Sequence, residues 1–108
     1  VQTCALPIFY IMGVFADKEY KIVLEKTAHF AEKIYTIETP DNPRALPAEE
    51  LAKAARVYNS SAESTKSIKD AVEKAFSCAG DDENSVILAF GSLSFIGALT
   101  DAVEEYVG

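Results

Sequence analysis

Lys18, Arg44 and Ser92 are the residues of this chain whose type and position could hold an anion. Lys18 comes just after the apolar run Ile11-Met12-Gly13-Val14-Phe15-Ala16 and Asp17. A continuous apolar run of this kind marks a strand buried on both faces, the usual state in a parallel sheet. Asp17 suits the N-cap of a following helix. Lys18 then falls in the first helical turn, where the macrodipole disfavours a cation by a few tenths to about 1 kcal/mol. A cation set against its local preference at the carboxyl end of a buried strand is a candidate ligand holder. The alternative is a solvated lysine paired with Glu19. Arg44 stands at the exit of the Pro40-Asp41-Asn42-Pro43 turn, and Ser92 follows Gly91 at the end of a second apolar run. In a parallel sheet these carboxyl ends share one edge, where open α/β sheets bind their ligands. Convergence on one anionic ligand is one reading; the other is that all three belong to ordinary caps and turns.

The elements that would position these residues follow from periodicity. Strand one is expected from Ile8 to Phe15, and a helix from Lys18 to Ala31, with Tyr20, Val23, Leu24, Thr27, Ala28 and Ala31 forming its apolar stripe. Lys33 to Thr39 is rich in β-branched and aromatic residues and reads as strand two. The two prolines and two Asx residues after it favour a turn. A second helix is expected from Pro47 to Val57, with Glu49 and Glu50 suited to its first turn. Val57-Tyr58-Asn59 reads as a short third strand. A third helix is expected from Thr65 to Cys78, capped by Ser64. An acidic turn spans 80–84, strand four runs from Ser85 to Phe90, and a last helix covers Ser94 to Tyr106, with Ile96, Leu99, Val103 and Tyr106 inward. Strands alternating with helices predict βαβ units. The fold class is therefore α/β: a Rossmann-like three-layer αβα sandwich with a mostly parallel sheet.

The totals narrow the function. The 108 residues suffice for one domain, and 49% hydrophobic with 25% charged residues is an ordinary globular mix. A net charge of −7 with no visible basic patch argues against nucleic acid and anionic membrane surfaces. No apolar stretch reaches the roughly 20 residues that span a bilayer. Two cysteines without CxxC spacing, Cys4 and Cys78, argue for a reducing, cytoplasmic setting and against a zinc site. His29 is the single histidine, so no Ser/His/Asp or Cys/His set is available, and no phosphate loop or dinucleotide fingerprint is present. No catalytic residue is expected in the chain itself.

Three segments carry a resemblance. Met12-Gly13-Val14-Phe15-Ala16-Asp17-Lys18-Glu19 resembles the "G-v-x-x-D-K-D" segment of bacterial folylpolyglutamate synthases. Asn42-Pro43-Arg44-Ala45-Leu46, followed by Ala48-Glu49-Glu50-Leu51-Ala52, is similar to their "PRA…AEELA" segment. Phe90-Gly91-Ser92-Leu93-Ser94-Phe95-Ile96-Gly97 is similar to their "GSLYLVG" close. Order and spacing agree across nearly everything from Ile8 onward. The resemblance implies the C-terminal domain of a Mur-ligase-type enzyme that adds L-glutamate to folates, in some members also making dihydrofolate from dihydropteroate. It implies ATP and Mg2+, bound mainly by an N-terminal domain of the same chain, and a monomer when full length. By the same likeness Lys18 is the first choice for contacting glutamate or the acyl-phosphate region, flanked by Asp17. Ser92 matches a position that hydrogen-bonds the amino-acid carboxylate. Arg44 corresponds to the arginine that reads the added amino acid in peptidoglycan-precursor Mur ligases, the nearest alternative within the superfamily. Glu19 stands where the family has Asp.

The beginning of the chain needs its own reading. Val1-Gln2-Thr3-Cys4-Ala5-Leu6-Pro7-Ile8 looks like the translation of a common sequencing-library adapter. Residues 1–8 are accordingly expected to be an artefact, and 9–108 an incomplete ligase domain that lacks the "DGAHNP" segment and strand which open it in relatives. On that expectation the fragment alone is inactive. A stand-alone Rossmann-like binding or regulatory module is the reading from another class.

Overall fold

The most apolar run of the sequence becomes the central strand of a four-stranded sheet. The structure is a computed structural model and describes residues 8–16, 19–40, 43–79, 86–91 and 96–107. In chain order the elements are β1 (Ile8–Gly13), α1 (Tyr20–Thr27) with a 3-10 turn (Ala28–Phe30), β2 (Lys33–Thr36), α2 (Ala48–Arg56), β3 (Ala62–Ser64), α3 (Ile68–Ala79), β4 (Val86–Gly91) and α4 (Ile96–Val107). The strand order is β3-β2-β1-β4, with every pairing parallel.

Residues of β1 alternate between two cores, as a period of two requires. Tyr10, Met12 and Val14 pack with Leu24 and Ala28 after β1, and with Leu51 and Ala55 of α2. Ile11 packs on the other face with Tyr35, Ile37, and Ile68, Ala71, Val72 and Ala75 of α3, joined by Ala102 of α4. The result is the three-layer αβα sandwich expected from the alternation of elements. Thr36, fully buried at the end of β2, satisfies its hydroxyl by donating to the Ala48 carbonyl at 2.7 Å.

Several boundaries differ from the sequence expectation. Strand one stops at Gly13 rather than Phe15, because Phe15 leaves the sheet to form an antiparallel bridge with Ala45. The first helix begins at Tyr20, with Glu19 at its N-cap and no side-chain cap bond. Asp17 is therefore not the N-cap and Lys18 precedes the helix, so the dipole gives no reason for Lys18 to be out of place. This helix also ends early, at Thr27, and Val23 is 41% exposed instead of inward. Strand two ends at Thr36 rather than Thr39, although Ile37 and Thr39 stay buried. Pro47 is the N-cap of α2 rather than its first residue.

The third strand was expected at Val57-Tyr58-Asn59 and lies at Ala62–Ser64. Val57 and Tyr58 form the turn after α2 and are exposed. Asn59 donates from Nδ2 to the Ala28 and Ala31 carbonyls, both at 2.8 Å, which commits it to tying a loop instead of a ladder. The third helix starts at Ile68 and is capped by Ser67, not Ser64. The Asp70 amide donates to Ser67 Oγ at 3.0 Å, and the Lys66 amide donates to Asp70 Oδ2 at 3.1 Å, so side chains satisfy two amides at the helix start. Ser64 instead donates to Glu49. In α4, Ala102 is buried, whereas Tyr106 is 46% exposed and stacks on Phe76 at 4.8 Å. The acidic turn at 80–84 and Cys4 lie outside the described residues.

Candidate functional site at the carboxyl edge of the sheet

Because all four strands run the same way, their carboxyl ends do share one edge. Met12 pairs with Thr36 on one side and with Phe90 on the other, and Gly13 pairs with Gly91. The ends of β1, β2 and β4 are thus flush. Gly13 allows the close approach there. A Cβ at that position would sit 2.5 Å from Ile37 Cδ1 and 3.3 Å from the Ile37 carbonyl oxygen. The Ile37 amide donates to the Met12 carbonyl at 2.8 Å, holding the exit of β2 against the end of β1.

Beyond Gly13 the chain stays extended and finds a second partner. The Ala16 amide donates to the Arg44 carbonyl at 2.7 Å, and the Leu46 amide donates to the Val14 carbonyl at 3.0 Å, on either side of the Phe15–Ala45 bridge. This short antiparallel ladder draws the loop after β2 back onto the loop after β1. Arg44 is brought beside Ala16, the residue that precedes Asp17 and Lys18. Its guanidinium carbon lies 4.6 Å from the centroid of the Phe15 ring, a cation–π contact worth about 0.5–1 kcal/mol at an exposed site.

Of the four residues singled out from sequence, Arg44 is described, and Asp17, Lys18 and Ser92 lie outside the described residues. Their flanking residues are placed nonetheless. Ala16 is held by Arg44, and Gly91, the neighbour of Ser92, is the pairing partner of Gly13. The point between β1 and β4 is where chain order reverses across the sheet, the position at which open α/β sheets take ligands.

Sequence reasoning missed a second feature of the same edge. A cleft of about 710 Å³ opens between the exit of β2, the start of α3 and α4, with Thr39, Lys66, Lys69, Asp101 and Glu105 in its walls. Lys69 and Glu105 bridge its walls at 2.6 Å. Thr39 is 1% exposed and its hydroxyl has no hydrogen-bond partner among the described residues. The one trace of this in the sequence is a threonine after a strand, which is too common to signal anything.

Charge away from the edge is tied up in structure. Glu63 on β3 accepts from Lys74 at 2.7 Å and pairs with Lys33 at 3.1 Å; these hydrogen bonds hold its carboxyl below the usual range. The Tyr35 phenol is pushed up, first by burial and then by its hydrogen bond with Cys78, a free and exposed thiol. His29 is exposed and packs against Phe30 at 4.1 Å. Among the described residues no group of three His, Cys, Asp or Glu side chains could hold a metal ion, and no helix is long and apolar enough to cross a membrane.

No family model and no curated protein matches the chain. Solved structures do. The E. coli FolC structure in complex with DHPP and ADP superimposes with a TM-score of 0.70 at 18% identity, over 94% of this chain and 23% of that one. The Mycobacterium tuberculosis folylpolyglutamate synthase complexed with ADP gives 0.68 at 18% identity, over 94% and 23%. The Thermotoga maritima folylpolyglutamate synthase gives 0.66 at 20% identity, over 92% and 21%. The chain therefore has a fold found in these synthases and spans less than a quarter of their length.

Proposed function

We propose that this chain is the C-terminal, glutamate-handling domain of an ATP-dependent ligase that adds L-glutamate to folates. The carrying observation is the coincidence of two independent lines. The fold is one found in folylpolyglutamate synthases, and the three segments that resemble that family all fall at or beyond the carboxyl ends of β1, β2 and β4. In such a ligase the γ-phosphoryl group of ATP passes to the folate carboxylate. The amine of glutamate then attacks the acyl carbon, phosphate leaves with the bonding electrons, and the amine sheds a proton.

The residues of this chain serve the second half of that reaction. Glutamate brings two carboxylates and must be held while its amine is aimed. Lys18 and Arg44 supply cations at the edge, Ser92 a hydroxyl donor, and Asp17 an acid beside Lys18. By the family resemblance, Mg2+ and most contacts to ATP fall to an N-terminal domain of the same chain. The neighbours complexed with ADP support nucleotide chemistry at the level of the whole enzyme. Arg44, held against the loop that leads to Asp17 and Lys18, also suits an amino acid with a second charged end. The Asp41-Asn42-Pro43-Arg44 segment, which resembles that of the peptidoglycan-precursor ligases, keeps such a ligase as the second reading.

Two experiments test the proposal. The purified 108-residue chain should show no glutamate-dependent ATP turnover; measurable turnover would overturn the division of labour between two domains. In the complete ligase, Lys18→Ala should lower kcat/KM for glutamate roughly ten- to hundredfold, as for loss of one charge-assisted contact of about 1.5–3 kcal/mol, with the KM for ATP little changed. Lys18→Arg should recover part of the loss, because a planar fork does not replace a point charge. Unchanged glutamate kinetics would return Lys18 to a solvated surface role.

A further inference from the structure

The cleft between the exit of β2, α3 and α4 is walled by groups that the fold leaves without partners. Ile37 packs with Ile68 and Ala71 of α3 and Ala102 of α4. Thr39, two residues further on, lines the cleft over the same two helices. It is almost wholly buried, and its hydroxyl has no hydrogen-bond partner among the described residues. A hydroxyl left this way has given up water and gained nothing in return, which costs stability. The start of α3 opens into the same space, with Lys66, Ile68 and Lys69 in the wall. An α-helix leaves its first amides without intrahelical partners. Here the Asp70 amide donates to Ser67 Oγ and the Ala71 amide to the Ser67 carbonyl, each at 3.0 Å. The Ile68 and Lys69 amides have no partner among the described residues, and the dipole of the twelve-residue helix favours an anion at that end.

The charges around the cleft are of both signs. Lys69 is bridged to Glu105 at 2.6 Å. Lys66 beside the helix start, Glu38 at the exit of β2 and Asp101 on α4 make no ion pair among the described residues. They share one cleft, yet Lys66 meets neither carboxylate. A ligand charged with one sign only would leave part of this wall unanswered. We propose that the cleft binds a small zwitterion of the α-amino-acid type. Its carboxylate takes the start of α3 beside Lys66, its ammonium faces Glu38 and Asp101, and the Thr39 hydroxyl gains its missing partner. A hydroxyl both donates and accepts, so it serves either end of such a ligand. A cleft of about 710 Å³ leaves room for a side chain as well. Arg44 does not line it, and the proposal stands on these walls without the ligase reading.

The test is an NMR titration of the 108-residue chain, read at the Ile68 and Lys69 amides. L-Alanine is the probe, with acetate and ethylammonium as controls that carry one charge each. L-Alanine should shift both amides saturably. Acetate and ethylammonium should bind at least about tenfold more weakly, the size of one lost hydrogen bond to a charged group. Glu38→Gln combined with Asp101→Asn should weaken L-alanine about tenfold without weakening acetate. Thr39→Val should weaken L-alanine about three- to tenfold and raise the Tm of the ligand-free chain, because the unpaired hydroxyl is gone. That rise also shows the variant to be folded. Lys18→Ala should bind L-alanine as the parent chain does. The proposal is overturned by the absence of a saturable shift, by acetate binding as tightly as L-alanine, or by unchanged L-alanine binding in Thr39→Val or in the double carboxylate variant. Loss of L-alanine binding in Lys18→Ala overturns it too, by moving the ligand to the loop after β1. The glutamate kinetics of Lys18→Ala in the complete ligase decide the ligase reading separately.

Discussion

At the scale of single residues, the positions that matter most structurally are those where backbone comes close to backbone or one side chain serves several partners. Gly13 is the first kind. Gly13→Ala would place a methyl 2.5 Å from Ile37 Cδ1 and 3.3 Å from the Ile37 carbonyl, so both the side chain and the exit of β2 must move. The expected loss is about 1–3 kcal/mol, read as a fall in Tm on the order of 4–8 °C per kcal/mol. Asn59 is the second kind. Beyond its two carbonyl acceptors, its Oδ1 accepts from the Ser61 amide at 3.0 Å and hydroxyl at 2.6 Å. Asn59→Ala removes a donor from both carbonyls, of which Ala28's keeps the Ala31 amide at 3.2 Å, and should cost on the order of 1–3 kcal/mol in chemical denaturation. Glu63 gives the pH dependence a sign. Its carboxyl titrates below the usual 4.5 because Lys74 and Lys33 hold its charged form. The folded state thus binds fewer protons than the unfolded one through this pH range. The contribution is complete above 4.5 and is lost as the pH falls below it. Glu63→Gln should therefore flatten the acid limb of a Tm-versus-pH curve, modestly, since the pair is partly exposed. None of these three positions has a distinctive sequence signal. A glycine in an apolar run, an asparagine after a helix and a glutamate between two small residues are all commonplace; their roles depend on partners distant in sequence.

At the scale of elements, the two edges of the sheet are built differently. The outer edge of β3 is three residues long, and Arg56 donates from Nε to the Ala62 carbonyl at 3.0 Å, so a cation occupies part of the ladder a foreign strand would use. Edge charges of this kind discourage association. At the other end of the sheet, β4 is six residues without a charge or proline, and Val86 and Leu88 are 39% and 47% exposed. A flat apolar strand in that position invites pairing with another chain. The 108-residue chain should accordingly show concentration-dependent association in sedimentation, and Leu88→Lys should suppress it; monomeric behaviour at high concentration would show that the edge is protected. This contrast also explains which elements were legible. The apolar strands β1 and β4, and the amphipathic helices α2 and α3, announce themselves through their apolar residues. Strand β3 does not, because Ala62-Glu63-Ser64 pairs on one side only and keeps two polar residues near water. The α3 start was misplaced by three residues because Ser64 and Ser67 are both plausible caps. The choice between them is marked by Asp70, whose amide donates to Ser67 Oγ while its carboxylate accepts from the Lys66 amide.

At the scale of the whole molecule, alternation of strand and helix was enough to predict the layered parallel sheet, and parallelism was enough to predict that the carboxyl ends of the strands share one edge. Sequence did not give the antiparallel ladder between residues 14–16 and 44–46, since two short loop segments carry no periodicity. That ladder is what joins Arg44 to the Lys18 loop. The register of the central strand has a further consequence, for the order of events during folding. Strand β1 has β2 on one flank, reached through a single helix, and β4 on the other, reached only after residues 14–85. Closing the first loop is cheap in chain entropy and closing the second is dear. The β1-α1-β2-α2 half should therefore condense first, with β4 and α4 docking after the rate-limiting step. In stopped-flow kinetics Leu51→Ala should slow folding, whereas Ile87→Val should mainly speed unfolding. Equal effects of the two substitutions on the folding rate would mean that the sheet closes across its whole width at once.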